Sequence, residues 1–301
     1  MTKKITPADD QRHSPDSDAL DWNESWVFYA IDPQQQLSVI TRIGLMPNKG
    51  ICNVTLCMSQ GGKPLYHRYL DQLPLPEGDM LTGISAGGLS IRALSLEQQH
   101  FQISFNDPTA ALTLNFDWRG THEPADSIGL HRSPNAIGLA SMHIEQLGLI
   151  SGRLNYRGQD RALTGMGPRD HSLGIRQWEN MHWYDLAWIL MGDGRAFGLI
   201  QAQGAAGLVQ IPWLWDGEQL LALSGMRFDK ILDAENSPVS VSIEVADNLG
   251  RQYHLRGTRR TSLGCYFDGY VVHSGYSDFV LDDGTTGIGA VEYGYCMGQV
   301  H

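Results

Sequence analysis

The segment Gly165-Met166-Gly167-Pro168-Arg169-Asp170-His171-Ser172-Leu173-Gly174-Ile175-Arg176-Gln177-Trp178 brings together an acid, an imidazole, two guanidinium groups and an indole. Asn180-Met181-His182-Trp183-Tyr184 follows it closely. Glycine at this density weakens ordinary strand packing and lets a backbone bend or approach another segment closely. If Asp170 faces an apolar, Trp-lined cavity, desolvation raises its pKa and keeps it protonated near neutral pH, as a general acid requires. His171 or Arg169 would then set its orientation or its charge. The competing reading is structural: Arg169 and Asp170 pair at a bulge, and His171 caps a turn.

A second carboxylate would serve as base or partner acid. Glu24 in Trp22-Asn23-Glu24-Ser25-Trp26, Glu145 in His143-Ile144-Glu145-Gln146 and Glu292 in Val291-Glu292-Tyr293 each lie in or beside strand-like aromatic runs, where a charge is unexpected. Glu24 ranks first, because Trp22, Glu24 and Trp26 share one strand face, while Glu292 reads more readily as an edge-strand charge. Asp170, His171 and Glu24 are therefore the expected catalytic residues. Arg169, Glu145, Trp178, His182, Trp183 and Trp26 are the expected groups around the substrate. Alkene protonation also needs electron-rich faces for the cation formed, each worth ~1–2 kcal/mol when dry. Trp178, Trp183, Trp188, Trp213 and Trp215 are candidates for that role, with core packing as the alternative for each.

The elements that must position these groups read as strands. Leu112, Leu114, Phe116 and Trp118 alternate with Thr113, Asn115 and Asp117, the period of a half-buried antiparallel strand. Similar runs recur from Trp26–Ile31 to Tyr266–Val272. Pro47-Asn48-Lys49-Gly50, Asp193-Gly194, Asp216-Gly217 and other turn sequences separate them. Many short strands without βα alternation and without a long helix predict an all-β protein of two antiparallel barrel or sandwich domains in tandem. The irregular stretch Arg119–Pro134 is the natural seam, giving units over 22–134 and 135–301. Residues 1–21 are polar and rich in Pro, Asp and Ser, and predict a flexible arm without a secretory h-region.

Composition narrows the functions. The 301 residues carry a net charge of −11, the wrong sign for a protein that neutralises phosphates, so nucleic acid is not expected as a partner. No apolar run approaches the ~18 residues of a membrane span, and a cytoplasmic location is expected. Cys52, Cys57, Cys265 and Cys296 show no zinc-like spacing, and Cys52 and Cys57 point to opposite faces of one strand. The remaining histidines (His67, His100, His122, His131, His254 and His273) lack ligand spacing, so no metal is expected. No G-x-S-x-G, Walker A or H-E-x-x-H motif is present. Gly287-x-Gly289 and Gly165-x-Gly167 lack the third glycine of a dinucleotide fingerprint, which leaves a cofactor-free activity as the simplest expectation.

The run GMGPRDHSLGIRQW, with the upstream His143-Ile144-Glu145-Gln146 and a Gly152…Gly158 hairpin, resembles the tandem calycin-like (lipocalin-like) superfamily that includes hydroxyneurosporene synthase, or carotenoid 1,2-hydratase. The resemblance implies two lipocalin-like β domains around an apolar cavity, and non-redox chemistry on olefinic, isoprenoid or polyketide-like molecules begun by protonation. It implies that Asp170 is the acid and His171 its neighbour. Leu173 stands where these proteins usually carry Trp, which reshapes one wall of the pocket. The leading expectation is a cofactor-independent hydratase, dehydratase, cyclase or isomerase acting on an apolar small molecule. A non-catalytic carrier of an apolar ligand and a carbohydrate-active β protein are the alternatives.

Overall fold

The computed structural model describes residues 4–132, 140–267 and 270–297. Alternating apolar residues do produce antiparallel strands. The first sheet takes β1 (Trp22–Asp32), β2 (Leu37–Met46), β3 (Ile51–Gln60), β4 (Lys63–Pro74), β5 (Ile84–Ala86), β6 (Leu89–Ser95), β7 (His100–Asp107), β8 (Leu112–Gly120), β9 (Ala125–Asp126), β10 (Met142–Tyr156) and β11 (Gln159–Ile175). Its order is β4-β3-β2-β1-β11-β10-β8-β7-β6-β5, with β9 beside β10, and it curls into a nearly closed barrel. The second takes β12 (Met181–Met191), β13 (Ala196–Gly204), β14 (Gly207–Gln210), β15 (Trp213–Trp215), β16 (Leu220–Ala222), β17 (Ser224–Leu232), β18 (Pro238–Ala246), β19 (Gln252–Arg259), β20 (Leu263–Phe267), β21 (Tyr270–Leu281) and β22 (Thr286–Cys296). It runs β16-β15-β13-β12-β22-β21-β19-β18-β17 as a half-barrel. The expected all-β tandem architecture is what the chain adopts. Among the described residues the only α-helix is α1 (Ser127–His131), too short to cross a membrane.

Sheet membership changes at 176–180 and not within 119–134. β10 and β11, read from sequence as part of the second unit, complete the first sheet because β11 pairs with β1 across the chain, Val27 opposite Asp170. The stretch after Arg119 folds as the end of β8, then β9 and α1; the 134/135 boundary itself lies outside the described residues. The glycines of β11 serve close approach within a regular strand. A Cβ at Gly165 or Gly167 would stand 2.0 Å or 1.9 Å from the carbonyl oxygens of Ile31 and Tyr29 on β1.

The N-terminal segment departs from expectation. A short 3-10 helix (Pro7–Asp10) carries Asp10 into the molecule, where its carboxylate is fully buried. Arg169, itself a buried cation, draws it there with two hydrogen bonds of 2.8 and 2.7 Å.

The apolar residues collect in three clusters. One fills the first barrel, including Trp26, Phe28, Phe101 and Trp118. One fills the half-barrel, including Phe197, Leu199 and Ile243. The third lies where the sheets meet, and includes Tyr29, Ile40, Cys57, Trp188, Trp213 and Cys265. Cys52 and Cys57 face different clusters, as their odd spacing requires, and both are free thiols. Glu145 joins the two sheets: the indole N–H groups of Trp188 and Trp213 donate to its two carboxylate oxygens at 2.5 and 2.7 Å.

Candidate active site

A cavity of about 150 Å³ opens in this third cluster, between β1, β2, β3, β10 and β11 on one side and β12, β13, β21 and β22 on the other. Its wall is mostly apolar, with Ile40, Met181, Leu186, Trp188, Ile200 and Ile211 among the lining residues. The polar groups in it are few: Asp170, His143, Glu292, Arg42, Arg176 and Thr55 carry the chemistry. Such a mixture, greasy walls with a handful of convergent polar atoms, is the usual form of a small-molecule site.

Strand alternation decides which residues reach the cavity. On β1, Ser25, Val27 and Tyr29 line it, while Trp26, Phe28 and Ala30 enter the core of the first barrel. β11 lies in register with Trp26 opposite His171 and Val27 opposite Asp170, so Asp170 and Ser172 turn to the cavity and Arg169 and His171 turn away.

Asp170 meets His143 from the adjacent strand, Oδ2 lying 2.6 Å from Nε2, and each side chain is 15% exposed. The other oxygen, Oδ1, is buried with no well-formed hydrogen bond among the described residues, and the nearby Ser172 hydroxyl adds to the stabilisation of the charge. Burial alone would raise the Asp170 pKa, but His143 and Arg176 outweigh it and hold the carboxyl below its ordinary 3.8. His143 is disfavoured as a cation by burial, yet Asp170 and Glu145 drive it up to about 9. At neutral pH the pair is therefore a carboxylate and an imidazolium. The protonated Asp170 expected from sequence is corrected on this point, because its partners are cations.

Glu292 behaves oppositely. Tyr184 donates to its Oε2 at 2.9 Å and Tyr29 donates to its Oε1. Burial pushes the Glu292 pKa above its ordinary value despite these hydroxyls, and the Asp170 charge adds to the rise. Burial and Glu292 also lift both phenols well above 10, so they stay hydrogen-bond donors. The cavity thus holds two carboxyl groups whose surroundings displace their pKa values in opposite directions.

The other sequence candidates lie elsewhere. His171 is buried in the first barrel, Nδ1 3.2 Å from Asp10 and Nε2 3.0 Å from Glu24, and stacks on Trp26 at 4.7 Å. Glu24 also takes the His13 backbone N–H at 3.0 Å and its ring nitrogen at 2.8 Å. Arg169 binds Asp10, Gln146 and Gln99 and sits over the Phe101 ring at 4.7 Å. Glu145 is occupied by its two indoles, and Trp183 faces Lys230 at 5.1 Å. Neither these residues nor His182 and Trp26 line the cavity; Asp170 and Trp178 do. Donor atoms of His13, Glu24 and His171 lie within 4.8 Å of one another, a spacing that could hold a metal ion, but mutual hydrogen bonds already account for it. Tyr29 and Arg42 are not singled out by the sequence, His143, Tyr184 and Arg176 stand in the quoted runs without a role of their own, and Glu292 reads there more readily as an edge charge. Counting strand parity outward from Asp170 exposes Ser172; on other strands only His143, within the His143-Ile144-Glu145-Gln146 run, carries a sequence signal.

A family pattern spans residues 6–296. The chain belongs to the family DUF7064, a domain of unknown function. No curated protein matches the sequence. Among solved structures, the chain resembles a candidate AttH from Nitrosomonas europaea at TM-score 0.66 and 15% identity, over 90% of this chain and 92% of that one. It resembles CghA solved with Sch210972 at TM-score 0.68 and 10% identity, over 93% and 90%. Kievitone hydratase from Nectria haematococca gives TM-score 0.65 and 11% identity, over 91% and 88%. At these identities the likeness establishes the fold, the lipocalin-like tandem that the Gly165–Trp178 segment had pointed to.

Proposed function

We propose that the protein is a cofactor-independent acid–base catalyst of the hydratase, dehydratase or cyclase type, acting on a largely apolar unsaturated or hydroxylated small molecule. The observation that carries this reading is the pair of cavity carboxyls, Asp170 held ionised and Glu292 driven toward its protonated form. In the dehydrating direction, Asp170 Oδ1 accepts a proton from a C–H group, the C–H electrons form the new double bond, and the C–O bond breaks. Glu292 supplies the proton that lets the oxygen leave as water. The hydrating direction retraces these steps: Asp170 in its protonated form returns its proton to the alkene carbon, water attacks the cation, and the Glu292 carboxylate takes the surplus proton from the new C–O group. His143 balances the Asp170 charge, and the rings of Trp178 and Trp188 supply faces that favour a cation. The name of the hydratase among the similar folds agrees with this reading. A sugar-active site would need carboxylates across an open cleft, and these two sit in a greasy hollow.

The test is deuterium incorporation from D2O into a panel of apolar enones, alkenes and allylic alcohols, followed by mass spectrometry. We expect incorporation with the native protein and a fall of about 100-fold or more in Asp170→Asn and Glu292→Gln, the scale of a lost general acid or base. Undiminished incorporation in Asp170→Asn removes the reading.

A further inference from the structure

The cavity has a cationic end whose groups move no proton in the acid–base reading, although Arg176 helps hold Asp170 ionised. Arg42 on β2 and Arg176 just after β11 both line it, beside Ser25, Ser172 and Thr55. Arg176 donates to Ser172 Oγ at 2.6 Å and to Ser25 Oγ at 3.5 Å. Arg42, only 7% exposed, donates to Asn53 and lies across Gly44, where a Cβ would stand 2.6 Å from both terminal guanidinium nitrogens. Gly44 is thus the space that lets this cation lie flat against the strand. The Thr55 hydroxyl, opposite Arg42 on β3, is 98% buried, lines the cavity and has no hydrogen-bond partner among the described residues.

Charge points the same way. With His143 protonated, the described lining residues carry three cations, Arg42, His143 and Arg176, against one or two carboxylates, depending on Glu292. Burial and the nearby Arg42 charge pull Arg176 down to about 10, the sign of two cations crowded in a dry place. Guanidinium groups side by side in a dry cavity wall present donors that suit a planar carboxylate.

We propose that Arg42, Arg176 and Thr55 form a head-group subsite, and that the ligand of this cavity is a monocarboxylate with an apolar, unsaturated body. The carboxylate lies between the two guanidinium groups and takes the Thr55 hydrogen. The body runs past Trp178 toward Ile200 and Ile211, bringing its reacting carbons to Asp170 and Glu292. The proposal rests on the acid–base reading for that last step only; head-group recognition stands without it.

The test uses trans-cinnamate and cinnamyl alcohol, which share a carbon skeleton and differ in the anion, titrated calorimetrically into the native protein at pH 7. We expect cinnamate to bind about tenfold or more tightly than the alcohol, the worth of one charge-assisted contact. Arg42→Met and Arg176→Met should each erase the preference while the alcohol affinity stays within about twofold. Thr55→Val, nearly isosteric and safe for folding, should lower cinnamate affinity by about 5–10-fold and leave the alcohol alone. Equal binding of the two probes, absence of cinnamate binding, or a preference that survives in Thr55→Val and in whichever arginine variant folds overturns the subsite. Asp170→Asn keeps the two ideas apart: it should retain the cinnamate preference while losing deuterium incorporation. Lost incorporation without any acid preference sinks the subsite alone, and an acid preference with incorporation intact sinks the acid–base reading alone.

Discussion

Two networks lie back to back across the β1 and β11 backbone, and they are finished to different standards. On the barrel side Arg169, Asp10, His171, Glu24 and His13 use one another fully: each carboxylate meets cations or ring nitrogens, and the guanidinium has four polar contacts. On the cavity side Asp170 Oδ1 and Thr55 Oγ1 are buried without a well-formed hydrogen bond among the described residues. A closed network holds a fold together; an open one leaves atoms available to something that arrives later. The difference separates structure from chemistry more sharply than residue type does, since both sides are built from acids, histidine and arginine.

The comparison breaks most visibly at Asp10. Asp10→Ala strands the Arg169 cation in a dry interior and should lower unfolding free energy by about 3–5 kcal/mol, read from urea denaturation. A loss below about 1 kcal/mol would mean the barrel-side network does not hold the fold. The cavity side should instead show itself in pH dependence. His143 has a folded pKa of about 9 against 6.5 unfolded, so its contribution to stability is complete below 6.5 and disappears as pH rises through 9. Asp170, held below 3.8, contributes above that value and loses its contribution on acidification. Melting temperature should therefore fall between pH 6.5 and 9 in the native protein, and that part of the slope should be absent in His143→Gln. The smallest effect has the opposite sign. Thr55→Val removes a buried hydroxyl that no described residue satisfies, and should raise stability by about 1 kcal/mol, measured by denaturation of the unliganded protein. A destabilised Thr55→Val would place Thr55 with the closed network.

The strands were legible because their two faces meet different surroundings, as Leu112 to Trp118 show. The sheet order was not, because the bonding of Trp22–Asp32 to Gln159–Ile175 joins segments more than a hundred residues apart and leaves no local mark. Asp170 was found through its neighbours in the Gly165–Trp178 run. Yet grouping it with His171 and Arg169 ignored strand geometry, which sends adjacent side chains to opposite faces. The polar composition of residues 1–21 read as looseness because the charge that anchors Asp10 lies 159 residues away. Tyr29, Tyr184 and Glu292 converge only through the docking of two sheets, and the aromatic flanks of Glu292 gave no direction for its side chain.

Trp178 and Trp188 stand in the cavity wall, and Trp188 also reaches across the sheet junction to Glu145. An occupant would displace water from beside these indoles and shift their emission, so the molecule carries a native optical gauge of whether its hollow is full. Screening for what fills it calls for a fluorimeter and no label.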